Sequence, residues 1–275
     1  MPTPTIDVAF VEEFEAGVHE AYQRKGSIFR ACVRSRSGVK NKTTFQKYGQ
    51  GNATQKARNA VIPPMNNTHT KVSVVMEDWY AGDFIDELDE LRINHDEMQA
   101  SMNAGAYALG RKTDDQIINV MTTDALLTGG TLDETTNGAT LAWATAVMVA
   151  MGNGEIPDDG ERYGIIGWEQ WGRLLGIQQF ANSQYVGEDD LPFPRGTQAK
   201  RWMSIMWMPW SGYARATNTT NFIFHRSAIG QAIGQDVNSS ITYEGTRAAW
   251  WALNKMQMNA CVIDGLGIVK SSLKV

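Results

Sequence analysis

The sequence predicts an α+β fold with a projecting two-stranded arm, and three observations carry that expectation. Between Ala21 and Met76 there is no Asp or Glu, yet the stretch holds Arg24, Lys25, Arg30, Arg34, Arg36, Lys40, Lys42, Lys47, Lys56, Arg58 and Lys71. Helical periodicity runs from about Asn94 to Met121, roughly twice an ordinary helix length. Near the C-terminus, Met256, Met258, Ala260 and Val262 alternate with Lys255, Gln257, Asn259 and Cys261, the period of a half-buried strand.

Taken in order, Val11, Phe14, Val18 and Tyr22 recur at helical spacing, so residues 8–24 read as a short amphipathic helix ending near Gly26. Phe29, Ala31 and Val33 alternate with Arg30, Cys32 and Arg34, and Thr70, Val72, Val74 and Met76 alternate with Lys71, Ser73 and Val75, giving two strands. More than thirty residues with little periodicity separate them, a length that marks a functional projection or a disordered connection, and the flanking strands favour an arm. The charge then reverses. Glu77, Asp78, Asp83, Asp86, Glu87, Asp89, Glu90, Asp96 and Glu97 follow with Arg92 as the one basic residue among them. The spacing of Asp83, Asp86, Glu87 and Glu90 predicts one face of a short acidic helix, either solvated or set against a partner.

A long helix follows, opened by Asn94 and Glu97 in capping-box spacing and carrying Met98, Met102, Ala106, Leu109, Ile117 and Met121 as an apolar stripe. After the Gly/Thr-rich break at 127–138 come a helix over 141–151, a strand over 163–167, a helix over 169–180 and a loop around 187–196. The apolar run Trp202 to Trp210, a strand over 222–224, a short helix over 228–233 and closing strands at 255–262 and 268–269 complete the chain, with no internal repeat.

Composition narrows the function classes. With 275 residues and 43% hydrophobic content the chain buries a sizeable core in one or two domains. Its apolar runs fall far short of the roughly 20 residues that span a bilayer, and its start lacks a secretion signal, so an intracellular protein without a membrane partner is expected. Cys32 and Cys261 lie far apart and read as free thiols, and the Asn-x-Ser/Thr patterns at Asn41, Asn52, Asn66, Asn218 and Asn238 read as composition. His19, His69, His95 and His225 do not pair with each other or with a cysteine at ligand spacing, and neither a phosphate loop nor a nucleophile elbow occurs. No catalytic, metal or cofactor set is therefore expected. Trp202, Trp207, Trp210, Trp250 and Trp251 sit in apolar runs and read as core or subunit packing rather than as a ligand platform. A net charge of -5 gives no general pull toward nucleic acid, but a basic pole beside an acidic pole attracts copies of the chain head to tail.

The order of these elements resembles the major capsid proteins of tailed bacteriophages with the Hong Kong 97-type coat fold. The resemblance rests on DWYAGDFID before the spine helix, RYGIIGWEQWGRLLGIQQFANSQYVGEDDLP in the middle and FIFHRSAIGQAIGQDV before the last strands, in that order over more than 200 residues. It implies a non-enzymatic coat subunit of a virion, assembled in the host bacterial cytoplasm into hexamers and pentamers of an icosahedral shell around double-stranded DNA, which it contacts without sequence specificity. It further implies an N-terminal arm (1–26), an extended loop (27–76), a peripheral domain with the spine (77–125 and 218–275) and an axial domain (126–217). Some relatives carry an N-terminal scaffold-like segment, and the start of this chain close to its first helix leads us to expect a separate scaffolding protein, together with a portal protein. The expected subunit interface is Arg30, Arg34, Arg36, Lys40, Lys42 and Lys47 of one copy against Asp83, Asp86, Glu87 and Glu90 of the next. A basic loop facing genome or scaffold, an encapsulin-like compartment shell, and a Trp-rich ligand-binding or hydrolytic domain stand as the alternatives.

Overall fold

The computed structural model describes residues 26–90, 97–134, 136–181, 199–212 and 218–275. The expected N-terminal helix at 8–24 and the loop at 187–196 lie outside these residues. In chain order the strands and helices are β1 (Arg34–Ser37), β2 (Lys42–Tyr48), β3 (His69–Val75), β4 (Glu77–Asp86), α1 (Glu87–Glu90), α2 (Glu97–Asp124), β5 (Leu127–Thr128), α3 (Leu141–Asn153), β6 (Arg162–Gly167), α4 (Trp168–Leu175), α5 (Gln178–Ala181), β7 (Lys200–Trp202), β8 (Ile205–Trp210), β9 (Asn218–His225), β10 (Ile229–Glu244), β11 (Ala249–Val262) and β12 (Ile268–Lys274). They form a four-stranded sheet β1-β10-β11-β4, a six-stranded sheet β5-β12-β9-β6-β8-β7 and the two-stranded arm β2-β3.

The spine α2 has 28 residues, about 42 Å at a rise of 1.5 Å per residue. It lies across the four-stranded sheet, where Leu109 packs with Met256 and Met258 beside Trp79 and Ala81. From Ala252 onward the strand β11 alternates, burying Ala252, Asn254, Met256, Met258 and Ala260 and leaving the residues between them half-buried. Its even-numbered side chains thus meet the spine, as the sequence pattern requires.

The six-stranded sheet is buried on both faces. Ile165, Phe222, Phe224 and Met208 face a core completed by Phe29, Val33, Ile117 and Met121, whereas Ile166, Ile223, Trp207 and Val269 face one completed by Trp143, Val147, Trp171 and Leu174. Adjacent residues on the same strands therefore serve opposite cores, which is why β6 and β9 read as continuous apolar runs. The helix α3 begins at Thr140, whose side chain accepts from the Trp143 N–H, and α4 stops at Gly176, splitting the helix expected over 169–180.

Three further expectations are corrected. Residues 29–33 form a 3-10 turn (Arg30–Cys32) instead of a strand, and β2 takes over the pairing with β3, Phe45 opposite Val72. The buried Asp114 carboxylate accepts the Ser27 hydroxyl at 2.5 Å and the N–H groups of Ile28 and Phe29 at 3.2 Å, so these donors serve the spine and not a strand ladder. The acidic segment 77–86 is the strand β4, paired over ten residues with β11; its Trp, Tyr, Phe and Ile favour the pleat over the helix that its carboxylate spacing suggested. Residues 229–233, expected as helix, open β10, because both faces of this stretch are buried between neighbours. Cys32 and Cys261 are free thiols, each pushed up to about 11 by burial.

Where the chain passes Gly110, a Cβ would stand 2.7 Å from Gly26, so this crossing needs the bare backbone. Asp114→Ala leaves the N–H of Phe29 buried without its acceptor, and we expect a loss of about 2–3 kcal/mol in denaturant unfolding. Asp133→Ala, whose carboxylate accepts from the Ser272 N–H only in part-buried surroundings, is expected to cost less than Asp114→Ala in the same assay.

Candidate assembly surface

The arm grows from the body at a small apolar knot of Val39, Phe45, Val74, Ala232 and Ile263. Phe45 lies over Gly230, where an added Cβ would come within 2.8 Å of the ring. Val39 N–H donates to the Ile233 carbonyl at 3.2 Å, and Met76 N–H to the Asn41 carbonyl at 2.9 Å. Farther out, Lys47 pairs with Asp264 at 2.7 Å and the Gln50 amide donates to Glu155 at 2.7 Å. These contacts enclose a cleft of about 600 Å³ lined in part by Lys47, Tyr48, Thr68, His225 and Leu266. The arm root is thus fixed to its own body, and the loop 49–68 is almost wholly exposed.

The basic residues expected at an interface separate into two groups. Arg30 is spent within the chain: its guanidinium grips Asp236 with two hydrogen bonds of 2.8 and 2.7 Å. That hydrogen bonding holds the Asp236 carboxyl below the ordinary carboxylate range and raises Arg30. Lys47 is likewise occupied by Asp264. Arg34 is exposed and stands 5.9 Å from the centre of the Phe45 ring. Arg36, Lys40 and Lys42 are exposed and make no ion pair among the described residues. They carry the uncompensated charge of the arm root.

The acidic residues do not form one helical face. Asp83 and Asp86 lie three residues apart on β4 and so project to opposite sides of its sheet. Asp83 accepts from the Phe84 N–H at 2.9 Å, and Asp86 from the Leu88 N–H at 2.8 Å, which starts the α1 turn. Glu87 accepts from the Tyr243 hydroxyl at 2.9 Å. Asp83, Asp86 and Glu87 are exposed; the side chain of Glu90 lies outside the described residues. Among the described residues, Asp83, Asp86 and Glu87 make no ion pair with the basic arm of their own chain.

One cluster escaped the sequence reading. His225, Asp159 and Glu161 bring ligating atoms within 4.8 Å of one another. Each already has a partner: His225 Nε2 lies 3.0 Å from Asp159, and Arg226 donates to Glu161 at 2.8 Å. Asp159 is held below the ordinary range first by the Glu161 N–H and then by His225. Sequence separations of 66 and 65 residues hid these pairs. Of the tryptophans, Trp207 and Trp210 are core, whereas Trp251 lies half-buried on the sheet face opposite the spine.

A protein-family model described as phage capsid protein matches residues 6–275. The fold is similar to the capsid of Cyanophage Pam1 (TM-score 0.76, 12% identity, covering 99% of this chain and 98% of that one). It is similar also to the capsid of Cyanophage P-SCSP1u (0.74, 15%, 96% and 92%) and to a chain of Mycobacterium phage Che8 (0.71, 13%, 95% and 97%). No curated protein matches the sequence.

The Arg30–Asp236 pair supplies a pH test. Because the folded pKa of Asp236 is depressed, the native state binds fewer protons than the unfolded chain, so the contribution is present above the unfolded pKa of about 3.9 and is lost as pH falls through the folded value. The pair is exposed, 41% and 59% by side chain, so Asp236→Asn is expected to cost at most about 1 kcal/mol at pH 7. In urea titrations that difference should shrink as pH falls through the depressed folded pKa of Asp236.

Proposed function

The chain belongs to the phage capsid protein family, and from that premise we propose how the surfaces of this major capsid protein join copies of it into a shell. The carrying observation is the pairing of an exposed basic arm root (Arg36, Lys40 and Lys42) with exposed carboxylates (Asp83, Asp86 and Glu87) that the same chain leaves unmatched. Charge of one sign left open on one surface and of the other sign on a second surface is satisfied by a neighbouring copy. The arm of one subunit lies over the β4 region of the next, the charges steering and setting register while apolar contacts supply most of the affinity. Arg30 and Lys47, occupied within the chain, hold the arm in position and do not reach the neighbour.

In this reading residues 1–26 are the N-terminal arm, 27–76 the extended loop, 77–125 with 218–275 the peripheral domain and 126–217 the axial domain at the capsomer centre. The last two share one sheet, since β9 and β12 pair within the sheet that also holds β6 and β8, and this joins them stiffly. The uncharged helix α3, with Met148 and Val149 exposed, supports an axial role among neighbouring copies. Hexamers and pentamers, a separate scaffolding protein, a portal protein, double-stranded DNA held without sequence-specific contact, and assembly in the host cytoplasm belong to the same proposal. The family match favours the phage coat over a compartment shell or a Trp-rich binding or hydrolytic domain.

Co-expression with the scaffolding protein, followed by light scattering, is expected to give particles of megadalton mass. A chain that stays monomeric or dimeric under every such condition defeats the proposal. Within assembling material, Arg36→Glu with Lys42→Glu should lower shell yield, as should Asp86→Lys with Glu87→Lys, and the four changes together should recover part of it. Coupling of wet interfacial charges is roughly 0.2–1 kcal/mol per pair, multiplied over every copy, and is greatest at low salt. If the combined variant assembles no better than its worse parent while all remain folded, the arm faces genome or scaffold instead.

A further inference from the structure

The chain holds two Asn-Gly pairs, Asn137–Gly138 and Asn153–Gly154. Such a pair can react with itself. The glycine nitrogen gives up its proton to base and attacks the Asn side-chain Cγ, the Cγ–Nδ2 bond breaks, and ammonia leaves a cyclic imide. Water then opens either imide carbonyl, giving Asp or isoaspartate, so water is all that is consumed and ammonia all that is released. Glycine has no side chain to obstruct the closure. The fold decides whether the glycine N–H is free and whether the Asn side chain can swing onto it.

The two pairs meet opposite conditions. Asn153 is the last residue of α3, and the Gly154 N–H donates to the Ala150 carbonyl at 3.0 Å, so the attacking nitrogen is held in the helix ladder. Asn137 stands in the turn before α3 and is exposed, and the Gly138 N–H has no backbone acceptor among the described residues. Glu134 accepts the N–H groups of Thr136 and Asn137 at 3.1 Å, which holds the turn while leaving the Asn137 side chain loose. Arg173 donates from Nη1 to the Asn137 carbonyl. A guanidinium there draws electron density out of the following peptide bond and makes the Gly138 N–H easier to deprotonate.

The isoaspartate product does not fit the same place. It routes the main chain through the former side chain and so adds a methylene before Gly138. That residue is buried at φ +69°, and a Cβ on it would already stand 2.7 Å from Gln170 Oε1 and 2.8 Å from both Arg173 Nη1 and the Lys274 carbonyl oxygen. Around it, Gln170 accepts from the Ala139 N–H at 2.8 Å and donates to the Lys274 carbonyl at 2.7 Å, while the Lys274 N–H donates to the Glu134 carbonyl at 2.9 Å. This clasp holds the end of β12 against the entry to α3. A longer chain must displace it, and the new carboxylate arrives beside that of Glu134. We propose that Asn137 is a self-modification site, converting to Asp and isoaspartate in the folded chain while Asn153 is protected, and that the conversion loosens the clasp on the last strand. The proposal goes beyond the assembly reading and stands without it.

The test keeps the full chain in alkaline buffer, folded and, in parallel, unfolded in urea, with samples digested over time. Peptide mass spectrometry reads the amide-to-acid mass gain at each Asn, and labelling by an isoaspartate methyltransferase reads the rearranged product. In urea the two pairs should react at like rates, because each is Asn-Gly. In the folded chain Asn137 is expected to convert at least about tenfold faster than Asn153, a difference of about 1.4 kcal/mol in barrier. Equal rates in the folded chain, faster conversion at Asn153, or an Asn137 that folding slows as much as it slows Asn153 overturns the site. For the clasp, chains carrying isoaspartate at position 137 should lose residues 268–275 to carboxypeptidase faster than unmodified chains. An Asn137→Gln chain aged alike, whose longer side chain closes the ring far more slowly, should keep the resistance of fresh protein. Equal trimming of modified and unmodified chains overturns the loosening of the last strand.

Discussion

The strand β11 is the constraint on which the rest of the structure depends. It pairs with β10 from Ala249 to Val262 and with β4 from Ala249 to Met258, and its pleat assigns each residue to one of two faces. The even-numbered face receives the spine through Met256 and Met258, with the Thr113 hydroxyl lying 3.1 Å from the sulfur of Met258. The odd-numbered residues Trp251, Leu253 and Lys255 lie on the other face and stay half-buried. A slip of one residue would exchange these faces, driving Lys255 under the spine and Met256 into solvent. Burial of the methionines therefore sets the register that also aligns Trp251 with Gly82 and Phe84. A packing requirement on one face of the sheet fixes the arrangement of side chains on the other.

The spine in turn organises the start of the described chain. Asp114 turns the backbone at Ile28 and Phe29 into a capped 3-10 entry, and Gly110 gives the chain room to cross the helix. Phe29 is thereby driven into the core against Trp210, ring centroids 5.7 Å apart. The arm then leaves from a defined place. Its root is pinned by Phe45 over Gly230 and by Lys47 on Asp264, so the exposed loop beyond is presented from a fixed base.

Much of this was legible in the sequence wherever one period dominated a long stretch. The spine, β6, α3 and the second half of β11 follow from apolar pattern, because each buries a stripe or face, whereas of β12 only Ile268 and Val269 were legible. The failures share a physical cause. Residues 29–33 alternate like a strand, but Asp114, eighty-five residues away, takes the Phe29 N–H, and the N–H groups of Arg30 and Cys32 close a turn onto Ser27 and Phe29. The carboxylates of 77–86 have helical spacing, yet β4 is determined by its aromatic residues and by pairing with β11, and carboxylates that stay in water exert little local preference. Residues 229–233 are short and apolar, a case in which period cannot separate helix from buried strand. At the surface, sign and exposure of charge were legible, but which charges are already matched was not. The Arg30–Asp236 contact spans 206 residues, and only the fold brings its partners together.

That distinction between matched and open charge bears on assembly. A contact that joins the arm of one copy to a different surface of the next is heterologous, and repetition of it closes into rings or runs on without limit according to the angle it imposes. Exposed ion pairs are too weak and too adaptable to set an angle. Stiff elements do so better, such as an arm root held by Phe45 packed over Gly230 and by the backbone bonds of Val39 and Met76. Weak charge contacts at a rim can re-form when a subunit docks wrongly, while apolar contacts sharpen the geometry once docking is right. A closed shell needs contacts that can re-form and contacts that set an angle.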